Sequence, residues 1–220
     1  VSRVGIIYME PKALGLDVLV LSWLDQIPAE LPASAHEKLM LLFDTYMTNG
    51  IGYLRSYLKE LVPSKDNNLA QSLMRIMDCY FEPYHKKEGR DLPPKAKFEE
   101  LESILEPLFI FSLIWSIGAT TDDAGRNRFD QNLRGEMLAN SSAWQLPKEH
   151  DVYGYIFDQD KKAWDPWMNT ISPYKVDRNL AFSERIVPTA DSVRLTCNMQ
   201  HATCDMRHAT CNMQHATCNM

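Results

Sequence analysis

The sequence predicts a mainly α-helical fold: a helical bundle preceded by one strand, followed by a short β-hairpin and connector, and ending in a disordered repeat. Three observations predict it. Between Leu101 and Ala119 apolar residues fall on nearly every side of a helix, and a helix that is hydrophobic all round has to be enclosed by others. On either side of that run, apolar residues recur at three- and four-residue spacing, the mark of amphipathic helices. From Thr196 onward Leu, Ile, Val and Phe vanish and a seven-residue cycle takes over.

Val1 to Met9 reads as a buried strand, β-branched and apolar, closed by Glu10-Pro11. Arg3 is unusual there; it either pairs with a carboxylate or reaches a phosphate on a neighbouring module. The first residue is not Met, and the start is treated as a cut end. A short helix is expected over Leu16 to Ile27. Ser34 and Glu37 then form a capping-box pattern, opening a long amphipathic helix whose stripe runs Leu39, Phe43, Tyr46, Met47, Ile51, Leu54, Leu58 and Leu61. Gly50 and Gly52 weaken its middle by about 1 kcal/mol each, which predicts a bend, and Pro63 ends it.

Asn67 or Asn68 is expected to cap the next helix, with Leu69, Leu73, Ile76 and Tyr80 on one face and a stop before Pro83. Pro83 to Pro94 is a basic loop, read as solvated rather than as a contact for an acidic partner. The all-round apolar run follows. Glu106 and Ser112 interrupt it, and it falls short of the roughly 20 apolar residues of a membrane span. Asp122 and Asp123 sit where helix capping is the ordinary explanation for paired carboxylates, and Phe129, Leu133 and Met137 mark a last helix. Val152 to Phe157 and Ala163-Trp164 read as two short strands around a polar turn. Phe182 to Val187 is extended because Pro188 disfavours helix before it. Thr189 or Asp191 is placed to cap a helix beginning at Ser192.

Composition bounds the function. The 220 residues are 45% hydrophobic, enough for a proper core, and the formal charge of -6 argues against a nucleic-acid partner. Four of the five cysteines lie in the terminal repeat; the fifth, Cys79, reads as a buried small hydrophobe in a reducing compartment. The repeat alternates Cys and His at spacings that invite a zinc site, Cys197, His201, Cys204, His208 and Cys211. Yet the nucleotide unit CATGCAA, read in triplets, spells His-Ala-Thr-Cys-Asn-Met-Gln, and Asp205 and Arg207 are single-base changes from it. A DNA repeat read as coding sequence explains every residue, whereas a metal site explains only Cys and His; no metal site is assigned. The sequence holds no G-x-x-x-x-G-K-[ST], no G-x-G-x-x-G, no H-E-x-x-H and no G-x-S-x-G.

Three separated stretches carry a resemblance. Val1-Ser-Arg-Val-Gly-Ile-Ile-Tyr-Met-Glu-Pro11, with Leu14-Gly15 and Ser22-Trp23-Leu24, resembles dynein heavy chains where the large part of the second AAA+ module ends. Phe109-x-Phe-x-x-x-Trp-Ser-x-Gly118, with Arg126, Phe129 and Arg134, resembles that module's helical lid. Trp164-x-x-Trp167 and Ile186-Val-Pro-Thr-x-Asp-Ser-Val-Arg194 resemble the start of the third module. Leu105 to Thr120 is similar to axonemal inner-arm chains in detail. The resemblance implies an AAA+ lid bundle and this division: 1–15 the end of a large domain, 16–146 the lid, 147–181 hairpin and connector, 182–195 the start of the next module, 196–220 the repeat. It implies that Arg3 is an arginine finger acting in trans, and that Ile186, Val187, Pro188 and Thr189 line the adenine end of the third module's pocket. ATP or ADP with Mg would serve the complete protein, and no cofactor is expected for this stretch alone, which lacks the phosphate loop. Expected partners are the rest of the ring, other dynein chains and microtubules, with neither nucleic acid nor membrane, in cytoplasm, cytoskeleton and ciliary axoneme. The competing expectation is a free-standing helical interaction domain.

Overall fold

The bundle is built around α6, Leu105–Ser116, which lies in the centre with Phe109, Ile110, Phe111, Leu113 and Ile114 each at 0% exposure. The computed structural model describes residues 15–86, 89, 91–170, 189 and 192. Ser112, the polar interruption, is buried with its hydroxyl donating to the Leu108 carbonyl at 2.8 Å, so it costs little to enclose.

The apolar run from Leu101 to Ala119 is two helices rather than one. Helix α5 covers Lys95–Ser103, and the pair turns by 56° at Ile104. Pro107 explains the break: its ring would clash with the Ser103 carbonyl, and it offers no N–H to that oxygen. In the third position of a new helix the missing N–H is harmless, because the first four have no intrahelical partner. Among the described residues no single helix is long and apolar enough to cross a membrane.

Around α6 stand α1 (Asp17–Leu24), α2 (Ala33–Leu42), α3 (Asn49–Tyr57), α4 (Asp66–Phe81) and α7 (Asp123–Ala139). Helix α4 is its main neighbour. It turns Leu69, Ala70, Leu73, Met74, Ile76, Met77, Tyr80 and Phe81 inward, the three-and-four spacing of a core-facing stripe. Trp23 on α1 packs edge-on against Phe43 with centroids 5.5 Å apart, and its indole donates to Asp78 at 2.6 Å.

Several local expectations are corrected. The Ser34–Glu37 capping box does not form: α2 starts at Ala33 after Pro32 with no side-chain cap, and the Ser34 hydroxyl donates instead to Glu102. Gly50 and Gly52 both lie within the uninterrupted helix α3. The irregularity lies earlier, in the π-helical turn Phe43–Thr48, which joins α2 to α3. Thr48 Oγ1 donates back five residues to the Phe43 carbonyl at 3.4 Å. Gly50 is simply buried, with a Cβ site 3.8 Å from Leu113. The helix ends at Tyr57 rather than Pro63, because Leu58 is extended (φ -113°, ψ 155°), and Leu61 is 71% exposed instead of joining the stripe. Lys65, not Asn67 or Asn68, precedes the first turn of α4. Cys79 is half-exposed rather than buried, its thiol donating to the Arg75 carbonyl.

The loop from Leu58 to Lys65 is braced from both sides. Leu61 donates to the Thr120 carbonyl at 3.1 Å, and Asp122 donates to the Lys59 carbonyl at 3.2 Å. Arg55 grips Glu60, Asp66 and the Ser64 carbonyl. Burial pushes the Glu60 carboxyl up, but the Ser64 hydroxyl and amide and the Arg55 charge outweigh it and hold it below the usual range. Capping at Asp122 is as expected: its carboxylate accepts from the Gly125 N–H at 2.7 Å at the head of α7.

The two expected strands form one antiparallel hairpin, β1 (Tyr155–Asp158) and β2 (Ala163–Pro166), with Tyr155 opposite Pro166 and Asp158 opposite Ala163. The turn is closed by Asp158, which accepts from the amides of Asp160 and Lys161 at 3.0 Å. Val152–Gly154 is a 3₁₀ turn, not strand. The strand expected over Val1 to Met9 and the extended segment Phe182 to Val187 lie outside the described residues. Thr189 Oγ1 accepts from the Ser192 N–H at 3.2 Å, the capping contact expected of it.

Candidate functional site

The chemistry-bearing feature is the seam where the segment after α7 returns across the bundle. Arg134, on α7, lies at its centre. Its Nε donates to Asp130 Oδ1 at 2.9 Å, one helical turn earlier. One terminal nitrogen donates to the carbonyls of Leu146 (2.8 Å) and Pro147 (2.9 Å), and the other to that of His150 (2.8 Å). The same Asp130 oxygen accepts from the Val152 N–H at 2.8 Å. The planar guanidinium suits this task because its donors point along fixed diverging directions, which a lysine ammonium cannot copy. Arg134 and Asp130 therefore pin four backbone groups of the irregular segment 146–152, and the side chains are largely shielded, 21% and 18% exposed.

Beside this staple runs an aromatic seam. Tyr153 is buried and donates to the Gly118 carbonyl at 2.8 Å; burial pushes its hydroxyl well above the ordinary tyrosine range, so it stays a neutral donor. Trp115 meets the Tyr153 ring edge-on at 5.8 Å and the Trp167 ring at 6.4 Å. Arg126 lies 5.5 Å from the Tyr153 centroid in cation–π contact. Gly118 is needed for close approach: a Cβ there would stand 2.6 Å from the Phe129 ring and 2.7 Å from the Tyr153 hydroxyl. Farther along, Phe157 is flanked edge-on by Trp144 and Trp164, and the Trp164 indole donates to the Trp144 carbonyl at 2.8 Å.

The structure thus brings together Trp115, Gly118, Arg126, Phe129, Arg134, Trp164 and Trp167, which the sequence presents as separate motif fragments. It adds Asp130 and Tyr153, which the sequence reading did not single out. The one signal for Asp130 was its position four residues before Arg134, an ordinary helix-surface pair. The candidate positions Arg3, Ile186, Val187 and Pro188 lie outside the described residues; Thr189 is described and exposed.

The arrangement is suited to holding, not to reacting. Each nitrogen of Arg134 already faces a protein oxygen, and four of its five N–H donors are engaged within the protein. Among the described residues no group of three or more His, Cys, Asp or Glu is placed to hold a metal ion.

The dynein heavy chain AAA lid domain family matches residues 39–169, and the chain belongs to that family. It is 34% identical over 212 residues to dynein axonemal heavy chain 1 of mouse, and 34% identical over 213 residues to the human protein of the same name. Dynein axonemal heavy chain 6 of human is 28% identical over 194 residues. These alignments cover 88–89% of this chain and only 4–5% of those relatives.

Proposed function

We propose that this chain is the lid and inter-module connector of a dynein motor ring, of axonemal type, and that its task is to carry movement from one nucleotide-driven module to the next. The observation that supports this reading is the Arg134–Asp130 staple. A connector held only by loose apolar contact would slide when pulled. One pinned through four directed hydrogen bonds moves with the helix that carries it, which is the requirement for a rigid body that transmits rotation.

In this reading ATP and Mg²⁺ act in the complete heavy chain, bound by residues of the flanking modules. The stretch has no phosphate loop of its own and does not hydrolyse ATP alone. Arg3 would be supplied in trans to nucleotide on the preceding module, where a guanidinium stabilises charge developing on the γ-phosphate. Ile186, Val187, Pro188 and Thr189 would flank the adenine of the following one. Microtubule-based ciliary motility and residence in the axoneme follow as properties of the whole motor.

The test is a full axonemal heavy chain whose corresponding lid is replaced by residues 16–170, with and without Arg134→Ala. The grafted motor is expected to glide microtubules. The Arg134→Ala graft is expected to keep basal ATP hydrolysis while losing most of its microtubule-stimulated rate and gliding speed. Gliding at the unaltered speed with Arg134→Ala would sink the coupling role.

A further inference from the structure

Two of the described residues other than glycine hold left-handed backbone, Ser141 (φ 53°) and Lys162 (φ 51°). Helix termination explains the first. Ser141 follows the last turn of α7, where the Ser142 N–H donates to the Met137 carbonyl at 2.9 Å and the Ser141 N–H to the Leu138 carbonyl at 3.1 Å, the paired bonds of a Schellman ending. Lys162 closes the hairpin turn, a place that glycine or asparagine fills with less strain. The turn needs a left-handed residue there; it does not need a lysine.

The side chain supplies the reason. Lys162 Nζ pairs with Glu100 Oε1 on α5 at 3.2 Å, while Lys97 holds the other oxygen at 2.8 Å. The Lys97 and Lys162 ammonium groups together keep the Glu100 carboxyl below the usual carboxylate range. Lys161, by contrast, turns back into the hairpin and pairs with Asp158 and Asp165. Among the described residues, the Lys162–Glu100 contact is the only ion pair or hydrogen bond that joins the turn 159–162 to another element. Helix α5 is also fastened to α2: the Ser34 hydroxyl donates to the Glu102 carboxylate, and Lys38 Nζ donates to the Glu102 carbonyl at 3.1 Å. Seated by Phe98 and Leu101, this nine-residue helix is a strut tied to both the hairpin and α2. The Lys162–Glu100 pair is half-exposed, 42% and 34%, and such a pair stabilises by no more than left-handed strain at a lysine costs. What the pair adds is position.

We propose that Lys162 is a positioning residue: through Glu100 it latches the hairpin tip to α5, so that the hairpin, α5 and α2 shift together. The inference rests on the coupling reading above and extends it. Arg134 fixes the segment that enters the hairpin, and Lys162 fixes the turn at the hairpin's far end. A connector held at one point can pivot about it, whereas one held at two points moves as a body. Stability and coupling therefore part company at this residue, because glycine relieves the backbone strain and cuts the latch in one substitution.

The experiment compares Lys162→Gly, Lys162→Arg, Lys162→Glu, Glu100→Lys and the last two combined. In urea unfolding of the 220-residue chain, the Lys162→Gly midpoint is expected at or above that of the wild type. In the grafted heavy chain, Lys162→Gly is expected to keep basal ATP hydrolysis while its microtubule-stimulated rate and gliding speed fall about twofold or more. Lys162→Arg, which keeps the charge, is expected to glide at close to the unaltered speed. Lys162→Glu and Glu100→Lys are each expected to slow gliding, and their combination, which restores an opposite pair, to recover most of it. Lys162→Gly gliding at full speed where Arg134→Ala is slow would overturn the latch and leave the coupling reading standing. A slowing that only tracks a lowered unfolding midpoint, or a combined variant no faster than the single ones, would overturn it too. Full speed in both Arg134→Ala and Lys162→Gly would remove the coupling reading and the latch together.

Discussion

The centre of the bundle and the returning connector are held by opposite means. Helix α6 is enclosed by apolar side chains, and its two buried serines, Ser112 and Ser116, bond to its own backbone. The connector from Leu146 to Val152 has little regular structure and is held by Arg134 and Asp130 through its backbone groups. Apolar packing is strong but tolerant of small shifts, since a methyl group does not mind which neighbour it touches. Directed hydrogen bonds fix position and lose most of their value when misaligned. The bundle core supplies stability; the seam supplies placement.

Substitutions should separate the two. Phe109→Ala removes a fully buried ring that packs edge-on against Phe43 at 4.9 Å, and should lower global stability by about 3–5 kcal/mol in urea unfolding. Equal loss of protection across bundle and connector would be the matching signature in hydrogen exchange. Arg134→Ala should weaken the fold by about 2–3 kcal/mol, but unevenly: the Val152 amide should exchange quickly while α6 amides stay protected. Arg134→Lys should recover only a minor part, and full recovery by lysine would show that charge alone holds the seam. Gly118→Ala forces a Cβ against Phe129 and Tyr153 and should cost about 1–3 kcal/mol, read as a change in near-ultraviolet signal from the aromatic seam.

The smallest effect concerns Glu136 on α7. Burial raises its carboxyl above the usual range, although the Asn132 amide, donating to it at 3.1 Å, pulls the other way. A carboxyl whose folded value is raised favours the fold most when protonated. Its contribution is present below the unfolded value and is lost as pH rises through the folded one. Glu136→Gln should therefore stabilise slightly at neutral pH, and the gap to wild type should close on acidification. A gap that widens in acid would show that Glu136 is favourably paired as an anion.

The bundle was legible in the sequence because apolar spacing records which face is buried, and α4, α6 and α7 follow that record closely. The hairpin was legible from strand residues around a polar turn. The seam was not, because the partners of Arg134 are carbonyl oxygens of Leu146, Pro147 and His150, and every residue type presents a carbonyl. Only resemblance marked that arginine, without saying what it touches. The α5–α6 break shows a different limit: apolar residues recur on both sides of Ile104, while the proline that ends the continuity acts on a carbonyl four residues earlier. The misplaced end of α3 has a similar origin, since Leu58 and Leu61 continue the spacing after the backbone has already turned.

The π-helical turn also bears on how this helix can be edited. Each residue of an ordinary helix advances the face by about 100°, so removing one would swing everything beyond it away from its partners. Between Phe43 and Thr48 the backbone already carries one residue more than an α-turn needs. A single deletion there would restore a plain helix and leave Ala35 and Leu54 facing the same core. Among the positions along α2 and α3, this turn is where a lineage could gain or shed one codon without rewriting the faces on either side.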